Sequence, residues 1–198
     1  MTGVQTCALP ICEEWLTAGV EELRPLFKLQ GRPIADKVRI ACGFPLDAKR
    51  SRAIGQCWSQ SNSADRTVEI LISPELAEPV SVFEVLVHEL CHATANGMNH
   101  GKPFQSIAKA MLLEPHNGTV REPWKSTKGT ADFVTAYHDI IDALGEYPHA
   151  PLTYQTKKTQ STRMLKAVCR DCGYTIRLTA KWASQGLPSC HCGGEFTI

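Results

Sequence analysis

Apolar residues fall along this chain in alternating stretches of helical and strand period. Trp15, Leu16, Val20, Leu23 and Phe27 recur at helical spacing and predict a helix over 13–29, with one inward stripe and a bend at Pro25. Period-two alternation follows at Val38, Ile40 and Cys42, at Ile54, Gln56 and Trp58, and at Val68, Ile70 and Ile72. Turn-forming residues separate these runs, so three short strands are expected. Helical spacing returns with Val80, Phe83, Leu86, Val87 and Leu90, after Ser73, Pro74 and Pro79 and before a stop at Asn96-Gly97. Two more helices are predicted, over 102–113 with Phe104, Ile107, Ala108 and Met111 inward, and over 131–144. The order is that of an α+β domain, with helices packed on a small three-stranded sheet.

Length and composition set the frame around this pattern. With 198 residues and 43% hydrophobic content, the chain suffices for one ordinary domain and a small satellite. No run approaches the ~18 apolar residues of a membrane span, and with no export signal in view a cytoplasmic setting is expected. Residues 1–11 resemble the translation of a sequencing adapter with Cys12 at the junction, so 1–12 are expected to be non-native. A signal peptide is the rival reading, and it lacks both the basic leader and the apolar length. The larger domain is then placed at 13–147. Turn-rich residues, among them Pro148, Pro151, Lys157 and Lys158, mark a linker over 148–162, and the satellite occupies 163–198.

The chemistry is concentrated in His88-Glu89-Leu90-Cys91-His92. On a helix, residues four apart share a face, so His88 and His92 can both turn their imidazoles to one Zn²⁺ while Glu89 stands beside it as general base. His100 is the natural third ligand. A metzincin would place a glycine and a third histidine where this chain has Ala95 and Met98, so the third ligand arrives by another route. Cys91 is offset around the helix from both histidines, and Cys42, Cys57 and Cys91 read as small apolar residues. His116, His138 and His149 read as surface or loop histidines, while Tyr137, Tyr147 and Arg121 have no assigned role.

His88 to Ala93, followed by Asn99-His100-Gly101-Lys102-Pro103-Phe104, is similar to the SprT-like (Spartan-type) zinc metallopeptidases. In that family the same helix motif is followed by a segment carrying the third zinc histidine. The resemblance extends upstream through Cys42-Gly43-Phe44-Pro45, Ala53 to Trp58 and Glu69 to Pro74, and downstream to the Cys-rich terminus. Asn99 stands where the family has glycine, and the short span from His92 to His100 is closer to bacterial or phage members. The resemblance implies a minimal zincin-like peptidase fold, peptide-bond hydrolysis of protein substrates and, for the Spartan branch, substrates attached to DNA.

Beyond the linker stand Cys169-Arg170-Asp171-Cys172 and, after 17 residues, Cys190-His191-Cys192. Two close cysteine pairs resemble a structural zinc ribbon, with His191 an alternative to one thiolate because the second pair is one residue shorter than usual. One catalytic and one structural Zn²⁺ are therefore expected. Residues 151–198 carry seven basic residues against two acidic ones, and the preceding 150 carry 14 against 18. The satellite is thus the basic part, suited to DNA phosphates or else to a solvated stability module. Tyr174 and Trp182 read either as stacking surfaces or as buried aromatics. The competing class is a non-enzymatic zinc-binding nucleic-acid adaptor or transcription-associated factor, against which the intact Glu89 argues.

Overall fold

A computed structural model describes residues 11–46, 53–95, 99–153 and 164–198. The chain divides into two compact units between Thr153 and Tyr154, and both are mixed α+β. In the first, helix α1 (Cys12–Leu29) buries Trp15, Leu16, Val20, Leu23 and Phe27, the stripe its spacing predicts. Strands β1 (Val38–Cys42), β2 (Gly55–Trp58) and β3 (Val68–Ile72) form one sheet in the order β1-β3-β2. β3 pairs in parallel with β1 and antiparallel with β2. Val68, Ile70 and Ile72 turn inward from the central strand.

The phase of β2 differs from the alternation of Ile54, Gln56 and Trp58. Cys57 is the residue buried in the core, and Ile54 is 42% exposed. The helix above this strand approaches so closely that a Cβ at Gly55 would run into it, while Gln56 accepts a hydrogen bond from the Leu46 N–H through its side-chain oxygen at 2.7 Å.

That helix is α2 (Pro79–Thr94). Glu78 caps it, its carboxylate accepting hydrogen bonds from the Val80 and Ser81 N–H groups, and Pro79 opens the first turn, where its missing N–H costs nothing. The stop expected at Asn96-Gly97 lies outside the described residues, and Ala95 closes the last turn. Helix α3 (Lys102–Ala110) is shorter than predicted. Leu112 adopts a left-handed backbone with φ 61°, which ends the helix and sends Leu113 into strand β4 (Leu113–Pro115). β4 pairs antiparallel with β5 (Thr127–Gly129) across a loop that buries Trp124, and α4 (Phe133–Leu144) follows. Residues 149–153 remain part of this unit, with the Leu152 N–H donating to the Pro74 carbonyl at 2.8 Å.

The second unit is a three-stranded antiparallel sheet in the order β7-β6-β8, built from β6 (Leu165–Cys169), β7 (Thr175–Leu178) and β8 (Phe196–Thr197). A one-turn helix, α5 (Ala180–Ala183), follows β7. Its core consists of Ala167, Cys169, Cys190 and Phe196 with Ile176, Leu178 and Leu187 against them. Among the described residues no helix is long and apolar enough to cross a membrane.

Candidate metal centres

His88 and His92 project from the same face of α2, and His100 arrives from the segment before α3. The Nε2 of His100 lies 3.1 Å from Nε2 of His92 and 3.4 Å from Nε2 of His88, so three ring nitrogens face a common point. Phe104, in the first turn of α3, packs against all three rings, with centroids at 4.9, 4.4 and 4.9 Å from His88, His92 and His100. The Gln105 side-chain amide donates to the His100 carbonyl at 2.8 Å and holds that segment in place. Burial, reinforced by His92 and His100, pushes His88 down to about 3, and burial also lowers His100. Both rings are neutral at neutral pH, the state in which imidazole offers a lone pair.

Glu89 is 5% exposed, and burial pushes its carboxyl up to about 8. Beside a divalent cation the opposite charge would favour the carboxylate. Its side chain lies over Gly55 of β2. A Cβ at that position would stand 2.4 Å from Oε1 of Glu89 and 2.6 Å from Cγ1 of Val85, so the helix can lie this close to the sheet only over glycine. Cys91, by contrast, is buried in the core away from the three imidazoles, and Cys57 is likewise internal, its thiol pushed by burial up to about 12.

Three contributors have no role assigned from the sequence. Gly55 and Phe104 stand in segments that carry the family resemblance but bring no chemistry of their own, and Thr127, whose hydroxyl lies 2.8 Å from Nδ1 of His88, sits in a strand too short to show a period. Of the residues without an assigned role, Tyr137 is buried and donates to the Met111 carbonyl at 3.3 Å, and Tyr147 packs edge-on against Trp15 at 5.2 Å.

The four sulfurs of Cys169, Cys172, Cys190 and Cys192 gather in the second unit, with Cys169 and Cys192 3.6 Å apart and Cys172 and Cys190 3.5 Å apart. Those separations far exceed the ~2.05 Å of a disulfide. Each pair is followed by a glycine at positive φ, Gly173 at 74° and Gly193 at 84°, which turns the chain back around the sulfurs. Backbone N–H groups of Cys172 and Asp171 favour the Cys169 thiolate and hold that thiol down to about 7. His191 has Nδ1 3.6 Å from Cys190 Sγ, its ring lies edge-on to Tyr174, and it is not part of the four-sulfur group. Tyr174 and Trp182 are 55% and 58% exposed, so neither is a buried core aromatic.

Cys42, expected as apolar filler, and His149, in a loop as expected, approach Cys12 so that the three ligand atoms lie within 4.8 Å of one another. The Nε2 of His149 lies 2.9 Å from the Pro74 carbonyl. This third gathering needs Cys12, the junction residue of the adapter-like segment; Cys42 and His149 alone offer two donors. The histidine and four-cysteine groups are each consistent with a metal ion. Comparison with protein-family models, curated proteins and solved structures returns no match.

Proposed function

We propose that this chain is a zinc-dependent endopeptidase of the SprT-like type, with His88, His92 and His100 as ligands of the catalytic ion and Glu89 as general base. One observation carries the reading: three Nε2 atoms converge with a buried carboxyl beside them. Tetrahedral zinc with Zn–N of about 2.05 Å requires nitrogens about 3.3 Å apart, close to the 3.1 and 3.4 Å found. Zinc bound there supplies Lewis acidity, polarising a peptide carbonyl and acidifying water for attack. Glu89 accepts the water's proton on its carboxylate and passes it to the departing amine nitrogen. The carbonyl carbon gains a bond to oxygen as the C–N bond breaks, so the products are a new carboxylate and a new amine. α2 and Gly55 close around the Glu89 carboxyl and keep bulk water from it, while Phe104 backs the three imidazoles.

The sulfur group suits a structural zinc of ribbon type, because Zn–S of about 2.3 Å calls for sulfurs about 3.8 Å apart in a tetrahedron. We further read this unit as the DNA-facing part that brings the peptidase to DNA-associated proteins. Lys166 and Arg177 are exposed and directly opposed across β6 and β7, a like-charge pairing that costs stability unless an anion lies over it. Arg170 and Lys181 add to the exposed charge, whereas Lys157, Lys158 and Arg163 lie outside the described residues.

The deciding experiment incubates purified protein with an unstructured protein substrate, with and without single- or double-stranded DNA. The unsubstituted chain should cleave, and Glu89→Gln should keep its zinc and fold but leave the substrate intact. An active Glu89→Gln enzyme removes Glu89 from the mechanism. Lys166→Glu with Arg177→Glu should weaken DNA binding and reduce its dependence on salt. Unchanged DNA affinity in that double variant would overturn the DNA-facing role.

A further inference from the structure

We propose that Thr127 is the positioning residue that sets the tautomer and orientation of His88; this rests on the reading of His88, His92 and His100 as a metal-ligand set. The His88 ring is held at both nitrogens. Nε2 points toward His100, and Nδ1 lies 2.8 Å from Oγ1 of Thr127. A neutral imidazole has one N–H and one lone pair, so an inward lone pair on Nε2 requires the proton on Nδ1, donated to the threonine oxygen. Thr127 therefore does for His88 what a carboxylate or carbonyl does behind many metal-bound histidines.

The threonine is itself fixed by the helix it serves. The Gly129 N–H donates to Oε1 of Glu84 at 2.8 Å, and Glu84 lies one turn before His88 on α2. Four helical residues rise about 6 Å, and two strand residues span about 6.6 Å. β5 thus runs alongside α2 with two matched contacts, Glu84 to Gly129 and His88 to Thr127. Pairing of β5 with β4, where Thr127 sits opposite Pro115, holds the strand from its other edge. The hairpin is part of the metal centre although it contributes no ligand.

The test uses the full chain with Thr127→Val, which keeps the shape and removes the hydroxyl, and Thr127→Ser, which restores it. Zinc affinity is read by competition with a chromophoric chelator, and the His88 tautomer in metal-free protein by imidazole ¹⁵N shifts. Thr127→Val should weaken zinc binding about 10- to 100-fold and shift the His88 proton population from Nδ1 toward Nε2, with backbone spectra otherwise preserved. Thr127→Ser should recover most of the affinity and the parent tautomer. Equal zinc affinity and an unchanged tautomer in Thr127→Val would overturn the positioning role while leaving the ligand set standing. Failure of the unsubstituted chain to bind zinc, or zinc binding unaffected by His88→Ala, would overturn the ligand set and this role together.

Discussion

Gly55 shows how much of the site depends on one absent methyl group. Because a Cβ there would meet the Glu89 carboxylate at 2.4 Å and Val85 at 2.6 Å, Gly55→Ala must push either the carboxyl or the whole of α2 away from β2. Overpacking of this kind costs about 1–3 kcal/mol, and misplacing a catalytic group by about 1 Å can cost about 100-fold in rate. The atoms the added methyl would meet first belong to Glu89 and Val85 and not to the three imidazoles, so Gly55→Ala is expected to keep its zinc while kcat/KM falls about 100-fold. Metal analysis and peptide-cleavage kinetics on the same preparation check this, and full activity in the alanine variant would detach Gly55 from the site. Phe104 makes a complementary case. Phe104→Ala removes the ring that backs all three histidines and should cost about 3–5 kcal/mol of stability, seen as a lowered unfolding midpoint together with weaker zinc binding. A variant with unchanged zinc affinity would reduce Phe104 to a simple core residue.

At the scale of the element, α2 owes its start to Glu78 and its function to its spacing. Burial opposes ionisation of Glu78, but hydrogen bonds from the Ser81 and Val80 N–H groups outweigh it and hold the carboxyl below its ordinary value. A depressed folded-state value means that this cap stabilises the protein above the unfolded carboxyl's titration and loses its contribution as pH falls through the folded one. Glu78→Ala should therefore cost about 1 kcal/mol near neutrality and progressively less in acid, a difference read from denaturant midpoints across pH. A constant penalty at every pH would exclude the charged cap. The inward faces of α1, α2 and α3 were legible in the sequence because one long buried face imposes a repeated spacing on many residues. The phase of β2 was not, because Cys57 is buried where the strand must stay slim and Gly55 faces the helix for want of a side chain rather than for being greasy. The β4–β5 hairpin was illegible for a related reason: two three-residue strands show no period, and the turn at Leu112 uses a left-handed backbone at a residue type that gives no warning of it. At the site, His88, Glu89 and His92 could be read from helix geometry alone. Gly55 and Phe104 stand in segments that carry the resemblance, but their roles, like the whole of Thr127's, exist only once distant segments meet.

For the whole molecule, two units each hold a donor set consistent with a metal ion, and the proposed zinc sites predict different consequences of removal. The first unit has an extensive core drawn from α1, the sheet and α2 to α4, in which the three histidines are a small part. The second has four buried core residues, two of them cysteines of the sulfur group. Domains below about 40 residues seldom bury enough apolar surface to fold without a staple, and no disulfide is present among the described residues. A metal held by the four cysteines would then also supply folding free energy to this unit. About two zinc ions per chain are expected, with His100→Ala losing one and Cys169→Ser the other. Stripping both with a strong chelator should collapse the amide dispersion of residues 164–198 and shift the emission of Trp182, while resonances from α1 and the β1-β3-β2 sheet stay dispersed. Returning one equivalent of zinc to the His100→Ala protein should refold the second unit without restoring peptide cleavage. If residues 164–198 keep native dispersion after the metal is gone, the four cysteines are packing residues rather than ligands, and the second zinc must be dropped. If instead chelation unfolds both units together, the histidine site is a structural as well as a catalytic element of the first.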